Sequence, residues 1–347
     1  MKITIDPRNK MPFSSYYIEG LQTLFGRSAL RYSLAPFREL DRSVDFSYDH
    51  YMCFVISGSG GARRFVIDFH DSTAISMEAY RWCDVYAKIN ISFDTKMEDW
   101  PKLVSIPPGF GIRQHGVVET LAFGVKNLIR MRFHALNGLY CQLYDTYAQT
   151  LRRPLNMYEK QVAPVDGYVF HASTLWPHDN CMQLTNPYRA TFIRTCRSLS
   201  GIQFEGGLVR THGNIPAEYA DVTTDKRYTL DEYFDKTMHS MFVFNTPAVH
   251  QCHGWKLGEY FAMGKAIVST PISNRLPFPF EDGKQLLVVH NQEELVDAIN
   301  RLSKDKELRQ QLEASSRHIY EQYSSPAAVM RNVLHAAENG SREGGAQ

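Results

Sequence analysis

Short apolar runs alternate along this chain with stretches in which apolar residues recur every third or fourth position. The first pattern predicts buried strands and the second amphipathic helices. Strands are expected over residues 2–5, 52–57, 64–69 and 86–91, with helices over 14–25 and 75–82. The strand at 52–57 runs into Gly58-Ser59-Gly60-Gly61, which reads as a mobile loop, and Pro107-Pro108-Gly109-Phe110-Gly111 reads as a turn cluster. From 125 to 144 the residues Val125, Leu128, Ile129, Leu136, Leu139, Tyr140 and Leu143 keep helical spacing, with Lys126, Arg130 and Arg132 beside them. That pattern is a helix packed on a sheet with a solvated basic edge or, in a sharper reading, a surface for an anionic membrane.

A polar stretch from 152 to 166 reads as a linker, and a second strand–helix series follows it. Strands are expected at 167–172, 202–209, 241–245, 266–270 and 285–289, and helices at 187–198, 230–236, 293–317 and 326–338. Thr229 is placed to cap the helix that follows it. The alternation predicts an α/β protein with mostly parallel sheets. A length of 347 residues suits two domains, set at 1–160 and 161–325, with a closing helix at 326–339 and a disordered tail at 340–347.

Composition narrows the function classes. The chain is 44% apolar and 22% charged with a formal net charge of +1, so no bulk field draws in nucleic acid. The six cysteines (Cys53, Cys83, Cys141, Cys181, Cys196, Cys252) show no metal-ligand spacing and read as reduced thiols of a cytoplasmic protein. The opening Met1-Lys2-Ile3-Thr4-Ile5 reads as a strand, not a signal peptide, and no apolar run is long enough for a spanning helix. Membrane contact, where it occurs, is expected to be peripheral.

The richest stretch is Gln251-Cys252-His253-Gly254-Trp255-Lys256-Leu257-Gly258-Glu259-Tyr260-Phe261-Ala262-Met263-Gly264. A loop around Gly254 leads into a short helix whose first N–H groups suit a phosphate. Glu259 follows about one turn in, where a carboxylate accepts two hydrogen bonds from a vicinal diol such as a ribose. Gly264 suits a left-handed helix end. Lys256 at the helix start is a candidate phosphate cation. His253 has a loop-packing role or meets phosphate or acceptor.

These residues, with Ala262-Met263-Gly264, the strand after Ala266, Glu281-Asp282-Gly283 before Leu286-Leu287-Val288, and Gln292-Glu293-Glu294-Leu295, resemble the donor-binding domain of GT-B glycosyltransferases. The likeness is greatest to the retaining "group 1" (family 4-like) type. It implies two Rossmann-like β/α/β domains facing across a cleft. The second domain would bind a nucleoside diphosphate sugar and the first an acceptor, a glycan, lipid-linked saccharide or small molecule. Glu259 and Gly254 match the family pattern, and Trp255 stands beside them on the donor side. The family's first Glu falls on Gln251, which would orient the sugar without a charge. The family's phosphate-binding Arg-x4-Lys is not recognisable here, which leaves Arg189, Arg194 and Lys256 as candidate cations.

Expulsion of a diphosphate requires that its developing charge be met by a metal, by cations or by helix N–H groups. No Asp-x-Asp occurs in the chain, so a metal-free site is expected, with no cofactor beyond the donor itself. In the first domain His70 and Asp71 end a strand, where they are acceptor-side or base candidates against a plain turn role. Lys88 reads as sitting at a strand edge or facing the cleft. Two alternatives stay open: a GT-B enzyme of other chemistry (a sugar-nucleotide epimerase or an inverting transferase), and a non-catalytic sugar-nucleotide or glycan-binding protein.

Overall fold

The computed structural model describes residues 1–42, 51–59, 61–131, 138–210 and 216–343, without the side chains of 138 and 338–343. The chain forms two compact units. The first comprises residues 1–158, 274–277 and 322–347, and the second 159–273 and 278–321. Among the described residues no helix is long and apolar enough to cross a membrane.

The first unit is built on a six-stranded sheet. Its strands are β1 (Lys2–Ile5), β2 (Leu30–Tyr32), β3 (Tyr51–Gly58), β4 (Gly61–Asp68), β5 (Val85–Lys88) and β6 (Leu103–Ser105), in the order β2-β1-β3-β4-β5-β6. Helices α1 (Met11–Phe25) and α2 (Met77–Trp82) supply apolar faces to it. The Rossmann-like β/α pattern holds with one departure from a parallel sheet. β3 runs antiparallel to both β1 and β4, and Gly58 pairs with Gly61, so the glycine-rich segment expected as a mobile loop is the tip of a hairpin. Helices α3 (Val117–Arg130), α4 (Gly138–Thr150) and α5 (Leu155–Glu159) follow. The expected single helix over 125–144 is therefore two, and residues 132–137 lie outside the described residues.

Lys88 corrects its sequence reading. It sits in β5, between β4 and β6, and is fully buried. Its ammonium donates to Asp68 Oδ2 at 2.8 Å, and the Tyr86 hydroxyl donates to the same oxygen at 2.6 Å. A buried carboxylate so partnered explains a lysine in an apolar strand, with neither an edge nor a cleft needed.

In the second unit β7 (Tyr168–Leu175), β8 (Gln203–Arg210) and β9 (Thr223–Thr224) form one parallel set, and β10 (Val243–Asn245), β11 (Ile267–Ser269) and β12 (Leu287–Val288) another. Met241 N donates to Tyr168 O at 2.7 Å and Phe170 N to Ser240 Oγ at 3.0 Å, which sets β10 beside β7. Counted from β7, the order is 3-2-1-4-5-6, the doubly wound arrangement whose strand order reverses between its first and fourth strands. β8 approaches β7 closely at Gly206, whose φ is +119° and where a Cβ would lie 2.1 Å from the His171 carbonyl oxygen.

Helices α6 (Asn186–Ser198), α7 (Leu230–His239), α8 (Trp255–Ala262), α9 (Gln292–Lys304) and α10 (Lys306–Ile319) cover the sheet, while α11 (Pro326–Glu343) lies in the first unit against α1. Thr229 caps α7 in a full capping box with Glu232, as its position predicts. The helix expected over 293–317 breaks in two at Asp305, whose carboxylate accepts from Leu308 N at 2.9 Å and starts α10. α11 continues to Glu343, past the point where a disordered tail was expected to begin; residues 344–347 lie outside the described residues.

Removing one partner of a buried ion pair leaves the other charge uncompensated. Lys88→Met is expected to destabilise the first unit by about 3–5 kcal/mol in chemical denaturation. A loss below about 1 kcal/mol would give the pair no more weight than an exposed one.

Candidate active site

In a doubly wound sheet ligands bind beyond the carboxyl ends of the strands, where the order reverses. Here that point lies between the ends of β7 and β10, and a cavity of about 470 Å³ opens there. Ala172, Ser173 and Thr174 line it from β7, Thr246 from just past β10, Arg189 from α6, and Gly254 and Lys256 from the start of α8. Every lining residue belongs to the second unit.

Two cations share this space. Arg189 is buried on α6; its Nε donates to Thr246 Oγ1 at 3.0 Å and its Nη1 to Thr174 O at 2.9 Å. The Lys256 ammonium donates to Ala172 O at 2.7 Å and lies 5.3 Å from the centre of the Tyr233 ring. These contacts satisfy hydrogen bonds with neutral acceptors. Among the described residues neither cation forms an ion pair. Burial first, then the neighbouring Arg189 charge, push the Lys256 pKa down to about 7 against the pull of Glu259. Burial likewise lowers Arg189 to about 10. His171, buried in β7 outside the cavity lining, is held well below the usual histidine range by burial first and then by the charges of Lys256 and Arg189. Its Nε2 is 3.0 Å from Ser173 Oγ.

α8 begins beyond this pair, with Gly254 as its N-cap in extended backbone (φ −87°). A Cβ there would make only an ordinary 3.6 Å contact with Ala248, so a glycine's conformational freedom is not what the position requires. Gly264 takes the left-handed φ of +62° just past the helix, as its place in the motif predicts. Glu259 is half-buried one turn into α8, near Lys256, Tyr233 and Tyr260. Trp255 is half-buried and His253 buried.

The other site candidates separate from this cavity. Gln251 does not line it. With Pro247 from the same loop, it lines a neighbouring cavity of about 270 Å³, shared with Thr185, Tyr188, Thr270 and His290. The Thr270 hydroxyl is buried there with no hydrogen-bond partner among the described residues. His250 and Gln251 have φ of +55° and +57°, two consecutive left-handed residues in the loop that serves both cavities. Arg194 is on the surface, paired with Asp221 at 2.7 Å. His70 and Asp71 lie in the first unit just past β4, where His70 N donates to Asp68 Oδ1 at 2.8 Å.

Other residues of the main cavity escape the motif. Thr246 follows a strand's carboxyl end, and that position was its available signal. Trp176, Arg227, Tyr228 and Tyr233 reach the cavity by tertiary packing. Arg227 is exposed at the rim and forms no ion pair among the described residues.

Residues 189–335 match a protein-family profile described as "Glycosyl transferase-like". This segment, less than half of the chain, is similar to a glycosyl transferase domain. It starts at the buried arginine of the cavity and contains all of α8. No curated protein matches the chain. Solved structures resembling it include TarM (14% identity, TM-score 0.44), of whose length the chain spans 47% while 78% of this chain is covered. HepE of Anabaena, solved with UDP, has 12% identity and a TM-score of 0.42, covering 95% of this chain and 76% of its own. A glycosyltransferase of Rickettsia africae has 13% identity and a TM-score of 0.39, with coverages of 77% and 68%. At this level of likeness the chemistry of the glycosyl transferase-like segment rests on its own residues.

The lowered Lys256 pKa has a signed consequence. Between about pH 7 and the ordinary lysine value near 10.5, the unfolded chain holds the proton that the folded chain releases, so stability rises with pH across that window. Lys256→Met is expected to raise the melting temperature near pH 6 by more than near pH 9. Equal shifts at both would show that the lysine carries no desolvation cost.

Proposed function

We propose that this protein transfers a glycosyl group from a nucleoside diphosphate sugar to a hydroxyl of a glycan, a lipid-linked saccharide or a small molecule. What supports this reading is Arg189 and Lys256 together in one cavity at the strand-order reversal, with no carboxylate paired to either. Two cations in a desolvated space repel each other, and an anion of matching charge relieves both the repulsion and the lost hydration. A diphosphate has that charge, and the N-terminus of α8 adds backbone N–H donors.

In this reading the bond between the anomeric carbon and the diphosphate oxygen breaks, and the oxygen's electron pair stays with the departing nucleoside diphosphate. Arg189 and Lys256 neutralise it. The acceptor hydroxyl oxygen bonds to the anomeric carbon, and its proton passes to the departing diphosphate oxygen. Glu259 holds the ribose diol, with Gly254 and Trp255 at the donor. Gln251, beside the unpartnered Thr270 hydroxyl, supplies uncharged groups suited to sugar hydroxyls. A reaction without a metal ion follows from the same reading, since protein cations meet the diphosphate charge, while retention of anomeric configuration rests on the resemblance to the retaining family. His70 or Asp71 becomes the base only if the reaction inverts. We place the protein in the cytoplasm, touching membranes only from their surface.

A thermal-shift screen against UDP-, GDP-, ADP- and CMP-sugars tests the donor class. At least one is expected to raise the melting temperature. Glu259→Ala or Lys256→Ala should weaken its binding roughly 10- to 100-fold, the loss of a charge-assisted hydrogen bond. No response to any nucleotide would defeat the assignment, and binding without turnover over a broad acceptor panel would leave a binding protein in place of an enzyme. Chelation of divalent ions is expected to leave turnover unchanged; loss of activity with chelator, restored by added metal, would refute the metal-free reading.

A further inference from the structure

Helix α4 is built inside out. Its buried side is polar: Gln142 and Gln149 are each 2% exposed, with Asp145, Thr146 and Thr150 buried beside them. Its outward side is apolar: Leu139, Leu143, Tyr144 and Tyr147 are exposed, and Tyr140 is 79% exposed. Hydrogen bonds hold this orientation. Gln149 Nε2 donates to Ile112 O and Arg113 Nη1 to Thr150 O at 3.3 Å. Rotating the helix to hide its apolar face would break both. Helix α3 packs beside it and exposes Leu121, Val125, Ile129 and, at 80%, Val118. Two adjacent helices therefore turn aliphatic and tyrosine side chains to the outside, and a contiguous apolar face marks an interaction site.

The charges on this face identify what covers it. The charged residues exposed on α3 are Glu119, Lys126 and Arg130, and Glu119 is ion-paired with Arg27. The acid of α4, Asp145, is buried. What remains is cationic, beside an apolar surface studded with tyrosines. Aliphatic side chains that enter the acyl boundary, tyrosines at headgroup level and basic residues at the edge are the components of a surface that lies on an anionic bilayer.

We propose that α3 and α4 form the face by which the first unit lies on an anionic lipid bilayer, with Leu143, Tyr144 and Tyr147 entering the headgroup–acyl boundary and Lys126 and Arg130 meeting the lipid charge. This deepens the surface contact named above by assigning it residues. It does not depend on the donor reading, because the cation cavity lies wholly in the second unit.

Co-sedimentation of the full chain with lipid vesicles tests it. The protein is expected to bind vesicles of phosphatidylcholine mixed with phosphatidylglycerol and to bind phosphatidylcholine alone much less, with added salt weakening the first. The double variant Leu143→Glu, Tyr147→Glu should lose at least about tenfold in vesicle binding while keeping the wild-type melting temperature and nucleotide response. Lys126→Glu should cost about fivefold or more on anionic vesicles only. Failure to bind anionic vesicles, equal binding to both lipids, or a concentration-dependent dimer that the double variant dissociates would each overturn the proposal, the last assigning the face to a second copy of the chain. If the double variant fails to fold, Lys126→Glu with the salt series still decides.

Discussion

The second unit holds two like charges in one cavity, with no ion pair to either among the described residues. Arg189 and Lys256 are held by carbonyls of β7 and the hydroxyl of Thr246, neutral acceptors that meet their hydrogen bonds, and Glu259 is the carboxylate that acts on Lys256. Burial first and the Arg189 charge second lower the Lys256 pKa. Order reversal between β7 and β10 opens the crevice, and the close approach of β8 at Gly206 holds the β7 carbonyls in place. His171, on β7 beside Ala172, is held well below the usual histidine range by burial and by the two cations.

Much of this was legible in the sequence because the features are local. A loop, a helix start, a carboxylate one turn in and a glycine past the end occupy consecutive positions, and α8 takes the predicted form down to the left-handed Gly264. The Thr229 cap was equally local. What was not legible depends on distant partners. Tyr233 and Arg227 face the cavity only because α7 packs where it does, and nothing in their neighbours in sequence marks them. Lys88 was misread because its explanation, Asp68, lies on the adjacent strand. The β3–β4 hairpin was missed because alternation of strands and helices gives no strand direction. The break at Asp305 was legible, since the step of six residues from Leu302 to Leu308 leaves the helical repeat and the aspartate is itself a capping residue.

Helix α4 shows a different limit. Apolar spacing of about three and a half residues specifies a helix with two unlike faces, but it does not say which face meets the protein. The usual assumption that the apolar one turns inward gives the helix packed on a sheet expected at first. Here Gln142, Asp145, Thr146 and Gln149 take the inside. The cavity with its two cations and the outward apolar faces of α3 and α4 lie in separate units.

The composition of the cavity wall has an evolutionary consequence. Because each side chain that shapes it comes from residues 159–273 and 278–321, the remainder of the polypeptide is under no obligation to preserve it. Substitutions in the amino-terminal sheet and its helices leave every residue of that wall in place.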